Sequence, residues 1–187
     1  MDARRLPARH AQRWRGHDYS DCGAYFVTIC TQDRICRFGS IRDGVLDHND
    51  VGRAACEAWA SLGARFPGVH PGTYVVMPNH VHGILTLSSH AAVVPAPPRS
   101  VVPDARTDSA GIVRLSDVVG AFKSIVAVQW RRLETLRAGV SPPGRLWQRN
   151  FWDRVLRDEE EVSRAAAYIE GNVANWATDP IRSGLTP

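Results

Sequence analysis

The chain has 187 residues, 44% of them hydrophobic and 22% charged, the balance of an ordinary globule with room for one real core and hardly for two. It contains no run of about 18 apolar residues, which excludes a membrane-spanning helix, and residues 1–20 are too polar and arginine-rich for a secretory signal. Four cysteines without a C-x-x-C pair exclude a zinc cluster and a disulfide scaffold, and a cytoplasmic protein is expected; the net charge of +4 is a mild excess whose distribution matters more than its size.

Residues 1–22 form a polar basic arm carrying Arg4, Arg5, Arg9, Arg13 and Arg15 without periodicity. Such a segment is disordered, or orders on a nucleic-acid strand. A single domain is expected over 23–180. It starts with a central strand over Ala24–Thr31, which is rich in β-branched and aromatic residues. Asp33–Asp47 holds Gly39 and Gly44 and reads as turns with a short edge hairpin. Asn49 or Asp50 can cap a helix in which Val51, Ala55, Ala58, Trp59 and Leu62 recur at helical spacing up to Arg65.

Tyr74–Leu87, YVVMPNHVHGILTL, is the centre of the chain. Apolar alternation runs into Met77-Pro78-Asn79, a tight turn, and a second strand begins at His80. Side chains two apart on a strand share a face, so His80 and His82 project side by side. They are half of a metal site, because a divalent ion needs at least one more protein group and open positions for substrate.

Residues 88–111 depart in composition, with Pro95, Pro97, Pro98 and Pro103, and read as a flexible insertion without a core. Ser116 is a candidate N-cap for a helix with Leu115, Val119, Phe122, Val126 and Leu133 as its apolar stripe. Lys123 on its flank is the only lysine among 23 basic side chains. Gly144–Leu156 reads as another strand, basic and aromatic. An acidic start at Asp158–Glu161 opens the last helix, whose core face is expected to be Val162, Ala166, Ile169, Val173 and Trp176. Tyr168 and Asn172, four apart and neighbours on adjacent turns, lie on its flank. Residues 181–187 are a tail.

The basic residues recur at Arg131, Arg132 and Arg137, then at Arg145, Arg149, Arg154 and Arg157, with Trp14, Trp130, Trp147 and Trp152 interleaved. Cations for phosphates and flat rings for bases make a nucleic-acid surface. Lys123, Gln148 and Arg149 are candidates for phosphate contact.

MPNHVH, WQRNFWDRVLRDEEE and YIEGN, with RWRGHDYSDCGAYFVTICTQDR nearer the N-terminus, resemble the single-tyrosine HUH transposases, closest to the REP-associated tyrosine transposase-like proteins of bacteria. The resemblance spans nearly the whole chain apart from the Pro-rich insertion and the last few residues. It implies an α+β, ferredoxin-like antiparallel sheet with helices on one face and a C-terminal helix carrying the nucleophilic tyrosine. His80 and His82 match the HUH pair and Tyr168 the nucleophile, while Asn172 occupies the place of the polar residue that completes the metal site. Val173 stands where many relatives have proline; valine continues a helix without difficulty.

Two imidazoles and an amide oxygen accept Mg²⁺ or Mn²⁺, the latter favoured by mixed N/O ligation, and leave positions for phosphate oxygens. The metal offsets charge on a phosphodiester, so that a phenol, a poor nucleophile at neutral pH, becomes competent. By the resemblance, attack leaves a 5′-phosphotyrosine link and a free 3′-hydroxyl. Single-stranded or hairpin DNA is the expected substrate, with residues 4–15 reading sequence beside the hairpin foot. A monomer or homodimer is expected, the tyrosine serving its own subunit or a neighbour's. Two other classes compete. Nucleotide hydrolases use H-x-H-x-H, and here Ile84 holds the third place; a domesticated hairpin-binding protein would keep the fold without productive turnover.

Overall fold

The computed structural model describes residues 22–88 and 113–182. The basic arm with Arg4, Arg5, Arg13 and Arg15, and the Pro-rich insertion apart from Ser88, therefore lie outside the described residues, as do residues 183–187.

In chain order the elements are β1 (Gly23–Cys30), β2 (Gly39–Arg42), β3 (Val45–His48), α1 (Asp50–Ala60), the short α2 (Leu62–Arg65), β4 (Val69–Met77), β5 (His80–Leu87), α3 (Leu115–Ala138), β6 (Trp152–Leu156) and α4 (Glu159–Gly171). β2 and β3 form the expected edge hairpin. Asp43 and Gly44 both have positive φ at its tip (52° and 73°), which matches the right-handed twist of the flanking strands. Asn49 caps α1 by accepting from the Gly52 N–H, and Asp158 caps α4 by accepting from the Glu161 N–H.

The remaining strands build one antiparallel sheet in the order β4-β5-β1-β6. With the crossovers through α1 and α3 this is the ferredoxin-like arrangement, α+β as the sequence implies. Strand alternation sorts the side chains into two layers. Tyr25, Val27, Ile29, Val76, Val81 and Leu85 join α1 and α3 in the main core. On the other face Ile84 and Leu156 pack against Ala165 and Ile169 of α4 in a smaller core. Among the described residues no helix is long and apolar enough to cross a membrane.

Three expectations change. α3 starts one residue before Ser116, with Arg114 at the cap position and no side-chain cap, so Ser116 lies in the first turn. The segment 144–151 is irregular and only Trp152–Leu156 is strand: Gly144 has φ 82°, and the carbonyls of Gln148, Arg149 and Asn150 turn to the Lys123 ammonium. α4 stops at Gly171, so Val173 and Trp176 do not continue its face. Its buried residues are Ala165 and Ile169, and Asn172 is turned inward and buried rather than left on the flank.

Two of the four interleaved tryptophans are core residues. Trp130 and Trp147 are buried with Trp59, since a large apolar ring is worth more inside than on a solvated face. Trp14 lies outside the described residues. Trp152 alone of the four is exposed in the described part, at 39%.

Candidate active site

His80 and His82 leave β5 on the face that carries α4. Their partners across the sheet are Cys30 and Thr28 on β1 and Met77 and Val75 on β4. The rings meet edge to face with centroids 4.5 Å apart. Between and beyond them the opposite face must be flat. A Cβ on Gly83 would sit 2.2 Å from the Trp59 indole, so glycine after the second histidine lets α1 press against this strand.

Each histidine is oriented from behind. Asn79 gives its amide N–H₂ to the carbonyls of Arg34 and Ile181, which can only accept, so its oxygen must face His80 Nδ1 at 2.8 Å. The proton of that imidazole is therefore on Nδ1, and Nε2 carries a lone pair. Thr28 Oγ1 lies 2.8 Å from His82 Nδ1 and holds the second ring in place through a hydrogen bond. Burial keeps both rings neutral: it lowers His82 to about 3, and it lowers His80 well below its ordinary value, helped by His82 and Arg34.

The Nε2 atoms of both rings are buried without a hydrogen-bond partner, and so is Oδ2 of Asp179. Unpaired buried polar atoms are costly, and two of these, His80 Nε2 and Asp179 Oδ2, face each other at 3.6 Å across a gap that fits a cation. The donor chemistry agrees, since two neutral imidazoles with oxygen donors suit a divalent ion. Among the described residues no group of three or more His, Cys, Asp or Glu side chains stands in position to hold a metal ion.

α4 brings the phenol. The Tyr168 ring stands 5.4 Å from the His82 ring, centroid to centroid, and 5.9 Å from Phe26, which itself stacks on His82 at 5.2 Å. These contacts are within one chain. The Tyr168 side chain keeps 43% exposure, enough for a polymer to reach it. Burial pushes its pKa above 10, Asp179 pushes the same way, and a side-chain hydrogen bond with Asn172 opposes them. Asn172, at the end of α4, gives its amide nitrogen to the Tyr168 carbonyl at 2.7 Å.

Sequence reasoning missed Thr28 and Asn79, which orient the rings, and Asp179. The chain after α4 makes a 3₁₀ turn over Trp176–Thr178 and returns over the histidines. Trp176 sits 6.2 Å from the His80 ring and Asp179 Oδ2 is 3.6 Å from His80 Nε2. Ile181 and Arg182, assigned to a tail, belong to this return: Ile181 accepts from Asn79, and the Arg182 guanidinium lies over Trp176. Burial raises the Asp179 carboxyl, against a hydrogen bond from Ile181 and the charge of Arg34.

Lys123 is a brace rather than an open cation. Its ammonium reaches three carbonyls, the shortest contact being 2.7 Å to Gln148, and the Gln148 N–H in turn donates to Cys30, the β1 partner of His80. It thereby fixes the backbone of Gln148 and Arg149 beside the histidine end of the sheet. Trp152 and Arg154 of β6 pair with Thr28 and Phe26, which places both on the histidine face at the open edge of the sheet.

No family model matches the chain. It is 28% identical over 173 residues to an uncharacterized protein of Haemophilus influenzae, covering 92% of each. It is also 22% identical over 155 residues to a protein of the same organism described as "Putative REP-associated tyrosine transposase", covering 83% of this chain and 72% of that one. Two solved structures overlap loosely: a REP-associated tyrosine transposase bound to a REP hairpin (16% identity, TM-score 0.48, 100% of this chain and 76% of that one) and a "putative transposase" from Deinococcus radiodurans (19%, 0.43, 86% and 96%). The chain is thus similar in sequence to a relative described as the kind of transposase that its HUH and YIEGN motifs resemble.

Proposed function

We propose that this chain is a transposase-like, metal-dependent enzyme that nicks single-stranded or hairpin DNA and transfers the strand through a 5′-phosphotyrosine intermediate. The observation that carries the reading is the approach of Tyr168 to His82 within one chain, beside a pair of imidazoles whose Nε2 atoms have no hydrogen-bond partner. That approach also favours a tyrosine serving its own subunit.

His80 and His82, with the amide oxygen of Asn172, would hold Mg²⁺ or Mn²⁺. When bound, the ion supplies positive charge that polarises the scissile phosphate and offsets the charge developing on it. The chain's own residues do the rest. Asn79 and Thr28 hold the two imidazoles in place, and Asn79 leaves the lone pair of His80 on Nε2. Phe26 and His82, stacked on each other, both meet the Tyr168 ring edge to face. The phenol oxygen bonds to phosphorus as the bond from phosphorus to the 3′-oxygen breaks. The phenol gives up its proton and the departing 3′-oxygen gains one, so the products are a 5′-phosphotyrosine link and a 3′-hydroxyl. Bond energy is retained, and attack by another 3′-hydroxyl runs the same step backwards and joins strands.

A raised phenol pKa makes Tyr168 dependent on nearby positive charge, since at neutral pH the unassisted group stays protonated. Single strands and hairpin ends suit the site because their bases are free to stack on Trp152 and their phosphates are free to align for in-line attack. The basic arm with Arg4, Arg5, Arg13 and Arg15 would read bases beside the hairpin foot, and deletion of residues up to Tyr19 tests this: the proposal expects weaker hairpin discrimination, and unchanged preference contradicts it.

The direct test is a denaturing gel of labelled single-stranded hairpin DNA with Mn²⁺. A covalent adduct that Tyr168→Phe abolishes supports the enzyme. DNA binding without any adduct supports instead a domesticated hairpin-binding protein.

A further inference from the structure

The carboxylate of Asp179 is the least explained group in the molecule. Its side chain is only 4% exposed. Oδ1 accepts from the Ile181 N–H at 2.7 Å, but Oδ2 has no hydrogen-bond partner. It faces His80 Nε2 at 3.6 Å, too far for a hydrogen bond. The Nδ1–H of that ring donates to Asn79, so Nε2 carries a lone pair and confronts the carboxylate oxygen in a buried space. Such a pair repels unless positive charge lies between them. One divalent ion with bonds of about 2.0–2.2 Å can span the gap.

The position of Asp179 is also built. The Arg34 guanidinium holds the Pro180 carbonyl, Asn79 holds the Ile181 carbonyl, and Asp179 itself closes the turn to Ile181. Asn79 therefore orients the first histidine and anchors the return segment with the same amide.

We infer that Asp179 is a ligand of the ion held by His80 and His82, so that the chain after α4 completes the metal site with a carboxylate. This rests on the metal-dependent reading above. An anionic oxygen beside two neutral imidazoles strengthens the hold on a hard divalent cation and lowers the positive charge left for phosphate. An ion between Asp179 Oδ2 and His80 Nε2 would give both of these buried atoms a partner.

The test is Mn²⁺ binding to the metal-free full chain without DNA, read by calorimetry and by loss of the free-Mn²⁺ electron paramagnetic resonance signal. Asp179→Asn keeps an oxygen for the Ile181 N–H while removing the charge. It should weaken Mn²⁺ binding tenfold or more with an unchanged metal-free melting temperature. Should that variant alter the fold, Asp179→Glu keeps a carboxylate and should recover part of the affinity, which a purely structural side chain would not do. If wild type binds Mn²⁺, His80→Ala abolishes it and Asp179→Asn binds like wild type, the ligand role is overturned while the metal reading stands. If wild type binds no Mn²⁺, both fall.

Discussion

The amide of Asn79 decides which nitrogen of His80 carries a proton, and it does so because two backbone carbonyls leave it no other orientation. In the sequence this residue is a turn former after Pro78, and its second role depends on Ile181, 102 positions away. Spacing alone put the two histidines on one face; the tautomer of His80 became legible only once its long-range partners were known. Gly83 is similar. It reads as an unremarkable strand residue, yet a methyl group there would run into the buried Trp59 indole at 2.2 Å. Gly83→Ala should therefore destabilise the protein by about 1–3 kcal/mol through overpacking, seen as a lower denaturant midpoint. A midpoint within error of wild type would show that Trp59 can yield without cost.

At the level of elements, β1, the β4–β5 hairpin, the Asn49 cap and the start of α4 follow from local pattern, because alternation and capping are local physics. The end of α4 does not. Helical periodicity extrapolated through Val173 and Trp176, whereas the helix ends at Gly171 and Asn172 turns inward. Composition likewise cannot distinguish a tryptophan that stacks on a base from one that fills a core, and Trp130 and Trp147 fill the core. Trp152 is different. It is 39% exposed and pairs with Thr28, which touches His82. Base stacking is worth roughly 1–3 kcal/mol per base, so Trp152→Ala should weaken single-stranded DNA binding by about tenfold at constant salt, while Trp152→Phe retains most of it. Equal affinity for the alanine variant in a fluorescence-anisotropy titration would remove Trp152 from the DNA surface.

The molecule as a whole divides its tasks between the two faces of the sheet. α1 and α3 close the main core, and α4 with the returning chain closes only part of the other face, so the histidines are buried while the phenol stays reachable. The buried end of β1 has a measurable consequence. Burial pushes the Cys30 thiol up to about 12, with Asp179 adding to the rise and Arg34 and Lys123 opposing it. The native state then keeps this proton where the unfolded chain, with a thiol near 9.0, loses it. The contribution is full below pH 9 and is lost as pH rises toward 12, by at most about 1.4 kcal/mol per pH unit. Cys30→Ala should flatten that alkaline fall in stability relative to wild type; parallel curves would contradict it.

What unites these scales in the proposed function is a phenol beside two buried imidazoles, where a strand of DNA would be cut. The most direct measurement is mass spectrometry of a trypsin digest after reaction of the full chain with hairpin DNA and Mn²⁺. The account predicts a nucleotide attached through phosphate to Tyr168, in the peptide from Ala165 to Arg182, and none in the Tyr168→Phe variant. An attachment at another residue, or tight DNA binding with no attachment at all, would contradict it.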